Sequence, residues 1–234
     1  MPKAKLPAKE FSWTPELAYA VGLLVTDGNL SKDGRHITMR SSDKGLLETF
    51  RMCLNRKKDK IAQSHNDGYA TKPSFRVQFS DVRFYNWLVS IGVKPAKTYT
   101  IGTIKIPYYY FRDFLRGHLD GDGTLYTYRD TYNVYKDKRY SNTRVYMKFI
   151  SASEAHIQWL HSMIIAHSPV RGVLEIKKPY RERRVLMWGV KFSKYESLAL
   201  LRWLYYKDNL PALERKRIIA LNLLSRVKNG RLIR

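Results

Sequence analysis

Two aspartates stand at matching points of two similar segments in this chain. The segments read LAYAVGLLVTDG, which ends at Gly28, and FRDFLRGHLDGDG, which ends at Gly123. Asp27 and Asp122 each follow a glycine by five residues, and they lie 95 residues apart. A carboxylate at the end of an apolar helix faces the negative end of the helix dipole, which typically costs about 0.3 to 1 kcal/mol. The repetition of this unfavourable placement indicates a duplicated chain in which both carboxylates have a functional role.

The glycine after each aspartate predicts oxygen ligands beside the carboxylate. We expect Gly28 and Gly123 to take the left-handed conformation that ends a helix and exposes its last backbone carbonyls. Carboxylate and carbonyl oxygens bind hard divalent cations. Asp-Gly is also a common helix-to-turn sequence with no further role, and the presence of two aligned copies argues against that simpler interpretation.

A glycine inside each run predicts how the two segments pack. Gly22 and Gly117 each cost a helix about 1 kcal/mol relative to alanine, and a close approach of the two helices explains that cost. Side-by-side packing brings Asp27 and Asp122 together at one end, where the two negative charges repel unless cations lie between them. Such a pair supports metal-dependent hydrolysis of phosphodiesters.

Both segments resemble the nine-residue signature of the LAGLIDADG homing endonucleases, over residues 20–28 and 115–123. In that family the last acidic residue of each motif is the metal-binding catalytic residue, which implies this role for Asp27 and Asp122. The preceding residues, Thr26 and Gly121, are the expected sources of further oxygen ligands. The implied cofactor is Mg²⁺; Mn²⁺ also fits, and Ca²⁺ is expected to bind without supporting cleavage.

Neither copy matches the signature at every position. The earlier acidic residue is Asp120 in the second copy but Val25 in the first, and Ala20 replaces the leading leucine of the first copy. The resemblance also implies a basic residue near each motif, at Lys97 in IGVKPAKTYTI and at Lys216 in LPALERKRIIA. Lysine suits this task because a compact ammonium stabilises a developing oxyanion. The alternative for both lysines is an ordinary exposed position, on a loop and on a helix face.

The composition predicts a polyanionic partner. The chain has 43 Lys and Arg against 20 Asp and Glu, a net charge of +23, which most often indicates nucleic acid. A basic membrane-surface protein is the rival class, and no apolar run approaches the ~20 residues of a spanning helix. Cys53 is the single cysteine, so an internal disulfide and a cysteine-based zinc cluster are excluded. We expect an intracellular protein, in a prokaryotic cytoplasm or an organelle matrix.

The hydrophobic pattern predicts an α+β fold built from two pseudo-symmetric αββαββα halves. Apolar and polar residues alternate over 35–42 and 74–80, and again over 144–151 and 188–193, as in half-buried antiparallel strands. We expect a basic N-terminal arm at 1–13, a first half at 14–104 and a second half at 105–234. The antiparallel sheets would form a DNA-binding saddle, with the two motif helices packed at the centre.

The outward faces of the predicted strands supply the candidate DNA contacts, since an extended polar sheet fits the major groove. The candidates are His36, Thr38, Arg40, Arg76 and Gln78 in the first half, and Tyr126, Tyr128, Tyr146, Lys148 and Lys191 in the second. Gln78 and Lys191 are also second-tier candidates for the catalytic pocket. Because the two sets differ, the predicted target is long and asymmetric.

The predicted function is sequence-specific, double-strand cleavage of DNA by a monomer. An intron RNA maturase, with RNA as its partner, and a DNA-binding regulator that does not cut are the alternatives. The aspartates at both motif ends favour the nuclease. The histidines at 156, 161 and 167 lack the spacing of zinc ligands on one helical face and are interpreted as packing or surface residues.

Overall fold

The first helix begins where Thr14 and Pro15 predict it. The Thr14 side chain accepts a hydrogen bond of 3.1 Å from the Leu17 backbone N–H, and Pro15 occupies the first helical position, where its fixed φ is favourable. The computed structural model describes residues 11–64, 73–135, 138–177, 185–228 and 231–232. The first half contains α1 (Pro15–Thr26), β1 (Gly28–Leu30), β2 (His36–Ser41), α2 (Lys44–Cys53), β3 (Ile61–Ser64), β4 (Ser74–Ser80) and α3 (Val82–Ser90).

The second half repeats this order and then extends it. A short 3₁₀ turn (Tyr108–Tyr110) leads into α4 (Phe111–Asp120), β5 (Thr124–Tyr135), β6 (Lys138–Ser151), α5 (Glu154–His167), β7 (Val173–Lys177), β8 (Met187–Phe192) and α6 (Lys194–Leu204). After this unit come α7 (Glu214–Ser225) and a short antiparallel pair, β9 (Val227–Lys228) and β10 (Arg231–Leu232).

The two four-stranded sheets have the same topology. Their strand orders are β1-β2-β4-β3 and β5-β6-β8-β7, and all neighbours are antiparallel. The inward residues are those that the alternation predicts: Ile37, Met39, Val77, Val145, Met147, Phe149, Val190 and Phe192, each fully buried. The predicted α+β fold with two αββαββα halves is therefore confirmed.

The motif helices α1 and α4 pack against each other through their glycines. A Cβ added to Gly22 would overlap the Phe114 carbonyl oxygen, and one added to Gly117 would overlap the Tyr19 carbonyl oxygen. The two backbones are thus in direct contact, as the mid-helix glycines predict. The surrounding residues of α1, from Leu17 to Val25, are buried.

The expectation of left-handed glycines at the helix ends is wrong. The glycines with positive φ among the described residues are Gly34, Gly92 and Gly172. Gly28 instead begins strand β1, where a Cβ would lie 2.5 Å from the Leu24 carbonyl oxygen, and a Cβ on Gly123 would lie 2.6 Å from that of Leu119. These two glycines are needed because each strand folds back closely onto the helix that it follows.

The described residues include only the end of the segment predicted as an N-terminal arm, 1–13. Residues 1–10 lie outside the described residues. Phe11 packs on Phe84 and Trp87, with ring centroids 5.2 and 5.3 Å away, and Trp13 lies 5.0 Å from Trp87. Phe11 and Trp13, at the end of the predicted arm, therefore pack against the core of the first half. Within the described part of the chain, no helix combines the length and the apolar character that a membrane crossing requires.

Candidate active site

The packed helices bring the two motif aspartates into one electrostatic cluster. Asp27 ends α1, with its backbone N–H donating to the Leu23 carbonyl at 2.9 Å. Burial and, next, the negative charge of Asp122 raise the pKa of Asp27 to about 6. Desolvation also raises the pKa of Asp122, and Lys97 and Lys216 oppose the shift at both carboxylates. The charge of Asp122 therefore acts on Asp27, and both aspartates interact with the same two lysines, as the predicted packing requires.

Gly121 allows the ends of the two motifs to pack closely against each other. A Cβ at this position would overlap the Thr26 side chain and would lie 3.0 Å from Oδ2 of Asp27. The carboxylate of the first motif is thus set against the backbone of the second motif. This arrangement places Thr26, Asp27 and Gly121, all predicted at the metal site, beside one another.

Lys97 is buried and closes the end of α1. Its ammonium donates to the carbonyls of Thr26, at 3.3 Å, and Gly28. Burial lowers the pKa of Lys97, against the attraction of Asp122 and Asp27. The alternative of an exposed loop lysine is wrong, because this side chain is turned inward to hydrogen-bond the helix end.

Lys216 makes the equivalent contacts at the end of α4. Its ammonium donates to the carbonyls of Leu119, of Asp120 at 3.2 Å and of Gly123 at 2.6 Å. Burial lowers the pKa of Lys216 to about 8. This side chain is 4% exposed, so it does not lie on a solvated helix face. In both halves a lysine stabilises carbonyls that the negative end of a helix would otherwise leave without donors.

The donors in this cluster fit a hard divalent cation. The carboxylates of Asp27 and Asp122 and the backbone carbonyls at the two motif ends are hard oxygen donors, and a cation between the two carboxylates would relieve their mutual repulsion. Among the described residues, no three His, Cys, Asp or Glu side chains converge on one point. Mg²⁺ suits a site of this kind because it is commonly held by one or two carboxylates, with waters and substrate phosphate completing its shell.

The outward faces of the two sheets present pairs of like charges. The register places Arg40 opposite Arg76 in the first sheet and Lys148 opposite Lys191 in the second. Like charges directly opposite each other destabilise a sheet, so a polyanion on this face would stabilise both pairs. In the second sheet, Glu175 forms an ion pair with Lys148 and offsets part of the repulsion.

Three tyrosines form a stack on the outward face of the second sheet. The ring centroids of Tyr126, Tyr128 and Tyr146 lie 5.4 to 6.4 Å apart, with interplanar angles between 12° and 25°. The ammonium of Lys191 lies 4.7 Å from the Tyr146 ring centroid, a cation–π contact. Tyr126 and Tyr128 are exposed, and the equivalent face of the first sheet carries arginines instead.

The remaining candidate DNA contacts on the sheets differ in solvent exposure and in their hydrogen-bond partners. Gln78 is exposed and lies opposite Thr38. Thr38 is only 7% exposed because Asn29 and Gln78 flank it on the two neighbouring strands, so it is a poor candidate for a DNA contact. Nδ1 of the His36 ring is in hydrogen-bond contact with the Asp33 carboxylate, so this side chain is already engaged.

Solved structures with a similar architecture include several meganucleases. The meganuclease I-SmaMI bound to uncleaveable DNA is 11% identical, with a TM-score of 0.57 over 92% of this chain and 92% of that chain. Mesophilic variants of the homing endonuclease I-DmoI are 12% identical, with a TM-score of 0.56 over 88% and 96% of the two chains. The chain has the LAGLIDADG homing endonuclease fold.

Full-length DUF199/WhiA from Thermatoga maritima shares this LAGLIDADG fold. It is 11% identical, with a TM-score of 0.51, and the match covers 92% of this chain and 63% of that one. Comparison with protein-family models and with curated protein sequences found no match.

Asp120, in the second LAGLIDADG motif, has contacts that the sequence analysis did not predict. This carboxylate is 1% exposed, and its Oδ2 accepts hydrogen bonds from the Tyr19 hydroxyl at 2.8 Å and the Leu213 backbone N–H at 2.7 Å. Burial raises its pKa to about 6. The available signal was the difference between Asp120 and Val25 at equivalent positions of the two motifs.

A buried histidine pair lies beside the same motif. Nε2 of His118 is 3.1 Å from Nε2 of His156, and Nδ1 of His156 donates to the Gly102 carbonyl at 2.8 Å. Burial lowers the pKa of His156 to about 4 and that of His118 well below its usual range. The pair joins α4 to α5 and to the connector, which agrees with a packing role.

Proposed function

We propose that this protein is a metal-dependent endonuclease that cuts both strands of a specific DNA duplex. The observation that carries this proposal is the meeting of Asp27 and Asp122 beside two buried lysines, at the ends of the packed motif helices. The LAGLIDADG fold, which the chain shares with I-SmaMI and I-DmoI, supports the same conclusion. One aspartate and one lysine from each half give a site with two similar sides, as cleavage of two antiparallel strands requires.

Asp27 and Asp122 are the proposed metal ligands, with backbone oxygens of Thr26 and Gly121 beside them. A bound Mg²⁺ supplies Lewis-acid activation of water and neutralises charge on the phosphate and the leaving oxygen. Lys97 and Lys216 hold the helix ends in place, and their charges favour ionised carboxylates at both aspartates. Their positive charge also favours the approach of a phosphodiester.

The outward sheet faces are the proposed DNA-binding surface. Arg40 and Arg76 in one half, and Lys148 and Lys191 in the other, provide the like-charged pairs that phosphates neutralise. Arginine is well suited to guanine, whereas the stacked tyrosines of the second sheet offer aromatic faces and hydroxyls. This difference supports a target whose two half-sites differ in sequence. Because both motifs lie on one chain, a monomer is sufficient.

Selection from a randomised duplex library tests the proposed function. The protein is incubated with the library in Mg²⁺ to recover cleaved sequences, and in Ca²⁺ to recover sequences that are bound and intact. The matched control is the Asp27→Asn, Asp122→Asn double variant, which is expected to bind the selected duplex without cutting it. Tight binding of a structured RNA with no duplex cut would favour the maturase. Specific duplex binding without cleavage in Mg²⁺ or Mn²⁺ would favour the non-cutting regulator.

A further inference from the structure

A closed ring of hydrogen bonds links Asp120 to Lys216. The Asp120 carboxylate accepts from the Leu213 backbone N–H at 2.7 Å, and the Leu213 carbonyl accepts from the Lys216 backbone N–H at 2.9 Å. The Lys216 ammonium in turn donates a hydrogen bond of 3.2 Å to the backbone carbonyl of Asp120. Both ends of the ring are therefore anchored on the same residue of the second motif.

The ring sets where α7 begins. Leu213 is the N-cap residue of α7, and its own side chain makes no capping hydrogen bond. The Asp120 carboxylate, reaching over from α4, binds this N-terminus and lies at the favourable end of the α7 dipole. Lys216 stands three residues further on, so the direction of its side chain depends on the position of this first turn.

The first half holds its lysine differently. Val25 occupies the position equivalent to Asp120 and has no polar group to bind an adjacent segment. Lys97 lies in a turn, where its carbonyl accepts from Ile101 at 2.8 Å, and the preceding Ala96 has a φ of 50°. The two lysines thus reach equivalent carbonyls, those of Gly28 and Gly123, by unrelated supports.

We propose that Asp120 is a positioning residue for Lys216, acting through the Leu213 N–H, and that Lys97 has no counterpart to it. Tyr19 also binds Asp120 but belongs to α1, so its hydroxyl steadies the carboxylate without contacting the α7 turn. Loss of the Asp120 acceptor therefore releases Lys216 and leaves Lys97 in place.

Lysine labelling measures this release without DNA. Purified protein is acetylated with limiting reagent, and the ratio of Lys216 to Lys97 modification is read by mass spectrometry. The Tyr19→Phe, Asp120→Val variant carries the residue of the first motif and leaves no orphaned hydroxyl. We expect its ratio to rise about tenfold, which corresponds to about 1.4 kcal/mol from a lost hydrogen bond to a charged group. An unchanged ratio would overturn the proposal.

Two further variants separate positioning from general loosening. Tyr19→Phe alone removes the α1 contact and is expected to leave the ratio at the level of the unmodified chain. Asp120→Asn keeps an acceptor for the Leu213 N–H and is expected to restore most of the protection. A ratio in Asp120→Asn as high as in the valine variant would show that the hydrogen bond is not what holds Lys216.

The consequence for cleavage rests on the proposed function. On a selected target with each strand labelled, Tyr19→Phe, Asp120→Val is expected to slow one strand about tenfold more than the other. That strand should be the one slowed by Lys216→Met, whereas Lys97→Met should slow its complement. Equal slowing of both strands contradicts the inference. If the unmodified chain cuts no duplex, the proposed function fails, and the labelling ratio still decides the role of Asp120.

Discussion

In each half of the molecule a lysine ammonium hydrogen-bonds the carbonyl of an equivalent glycine, but the two lysines are supported by different segments. Lys97 reaches the Gly28 carbonyl from a turn, and Lys216 reaches the Gly123 carbonyl from the first turn of α7. The motif helices themselves are alike at their contact, where Gly22 and Gly117 each approach the backbone of the other helix. The difference teaches that the contact between the ammonium and the glycine carbonyl is kept in both halves, whereas the segments that carry the two lysines differ.

The largest expected effect comes from the motif aspartates, where the two halves are alike. Under the proposed function, Asp27→Asn or Asp122→Asn should each reduce double-strand cleavage ~1,000-fold or more, because each would remove a charged metal ligand worth several kcal/mol in the transition state. Binding to the same duplex should change little. Cleavage of a labelled target and binding in Ca²⁺ measure the two properties separately, and full cleavage by either variant would refute the assignment.

The reciprocal glycine contact predicts a similar loss of stability in both halves. Gly22→Ala and Gly117→Ala should each lower the free energy of unfolding by about 3 kcal/mol, because the added methyl group overlaps backbone of the other helix. Gly102→Ala is the matched control, since a Cβ there meets no atom within 4 Å. Urea denaturation measures all three variants. A neutral result at Gly117 with a large loss at Gly22 would show that the contact is not reciprocal.

The histidine pair makes the second half the acid-sensitive one. His118 stands where the first motif has Leu23, and the pKa of its partner His156 is lowered to about 4. The unfolded chain binds a proton at His156 below its usual pKa of about 6.5, whereas the folded chain does not until about pH 4. Stability is therefore lost as the pH falls, by about 2 kcal/mol between pH 7 and pH 5.

Comparison of the unmodified chain with His156→Gln isolates this contribution. Asp27 and Asp120 have raised pKa values and act in the opposite direction, so only the difference between the two proteins reports on His156. His161→Gln, on the same helix, is the control and should titrate like the unmodified chain. Parallel stability curves for the unmodified chain and His156→Gln would contradict the prediction.

The smallest expected effect concerns the like-charged pairs on the sheets. Arg76→Ala should weaken DNA binding about tenfold and lower the slope of log affinity against log salt by about 1. The same variant should raise the stability of the free protein slightly, by at most about 0.5 kcal/mol, because Arg40 loses a like-charged neighbour. Lys191→Ala should stabilise the second sheet less, since Glu175 already offsets the charge of Lys148. Equal stability changes in the two sheets would remove this contrast.

Local patterns account for what the sequence predicts correctly. Thr14 and Pro15 mark the start of α1, and the alternation over 74–80 matches β4 residue by residue. Both signals depend on neighbours within a few residues. The expectation for Gly28 failed because two different requirements, a left-handed φ and a close approach of backbone, select the same residue.

Long-range contacts account for what the sequence does not predict. The partners of Asp120, Tyr19 and Leu213, lie 101 and 93 residues away, and no periodicity encodes such a distance. Thr38 illustrates a second limit, since alternation gives the face of a strand but not how far neighbouring strands cover it. The lysines were located by resemblance, and only the fold reveals that they are buried.

The contact between α1 and α4 obeys the rule of a two-fold symmetric dimer. Gly22 faces the Phe114 carbonyl as Gly117 faces the Tyr19 carbonyl, so the backbone contact has the reciprocal pattern of an isologous interface. A single half produced alone would retain the glycine at which this close helix contact is made. If two such halves paired through that glycine, the proposed cleavage site would have two identical sides, and its target would be palindromic.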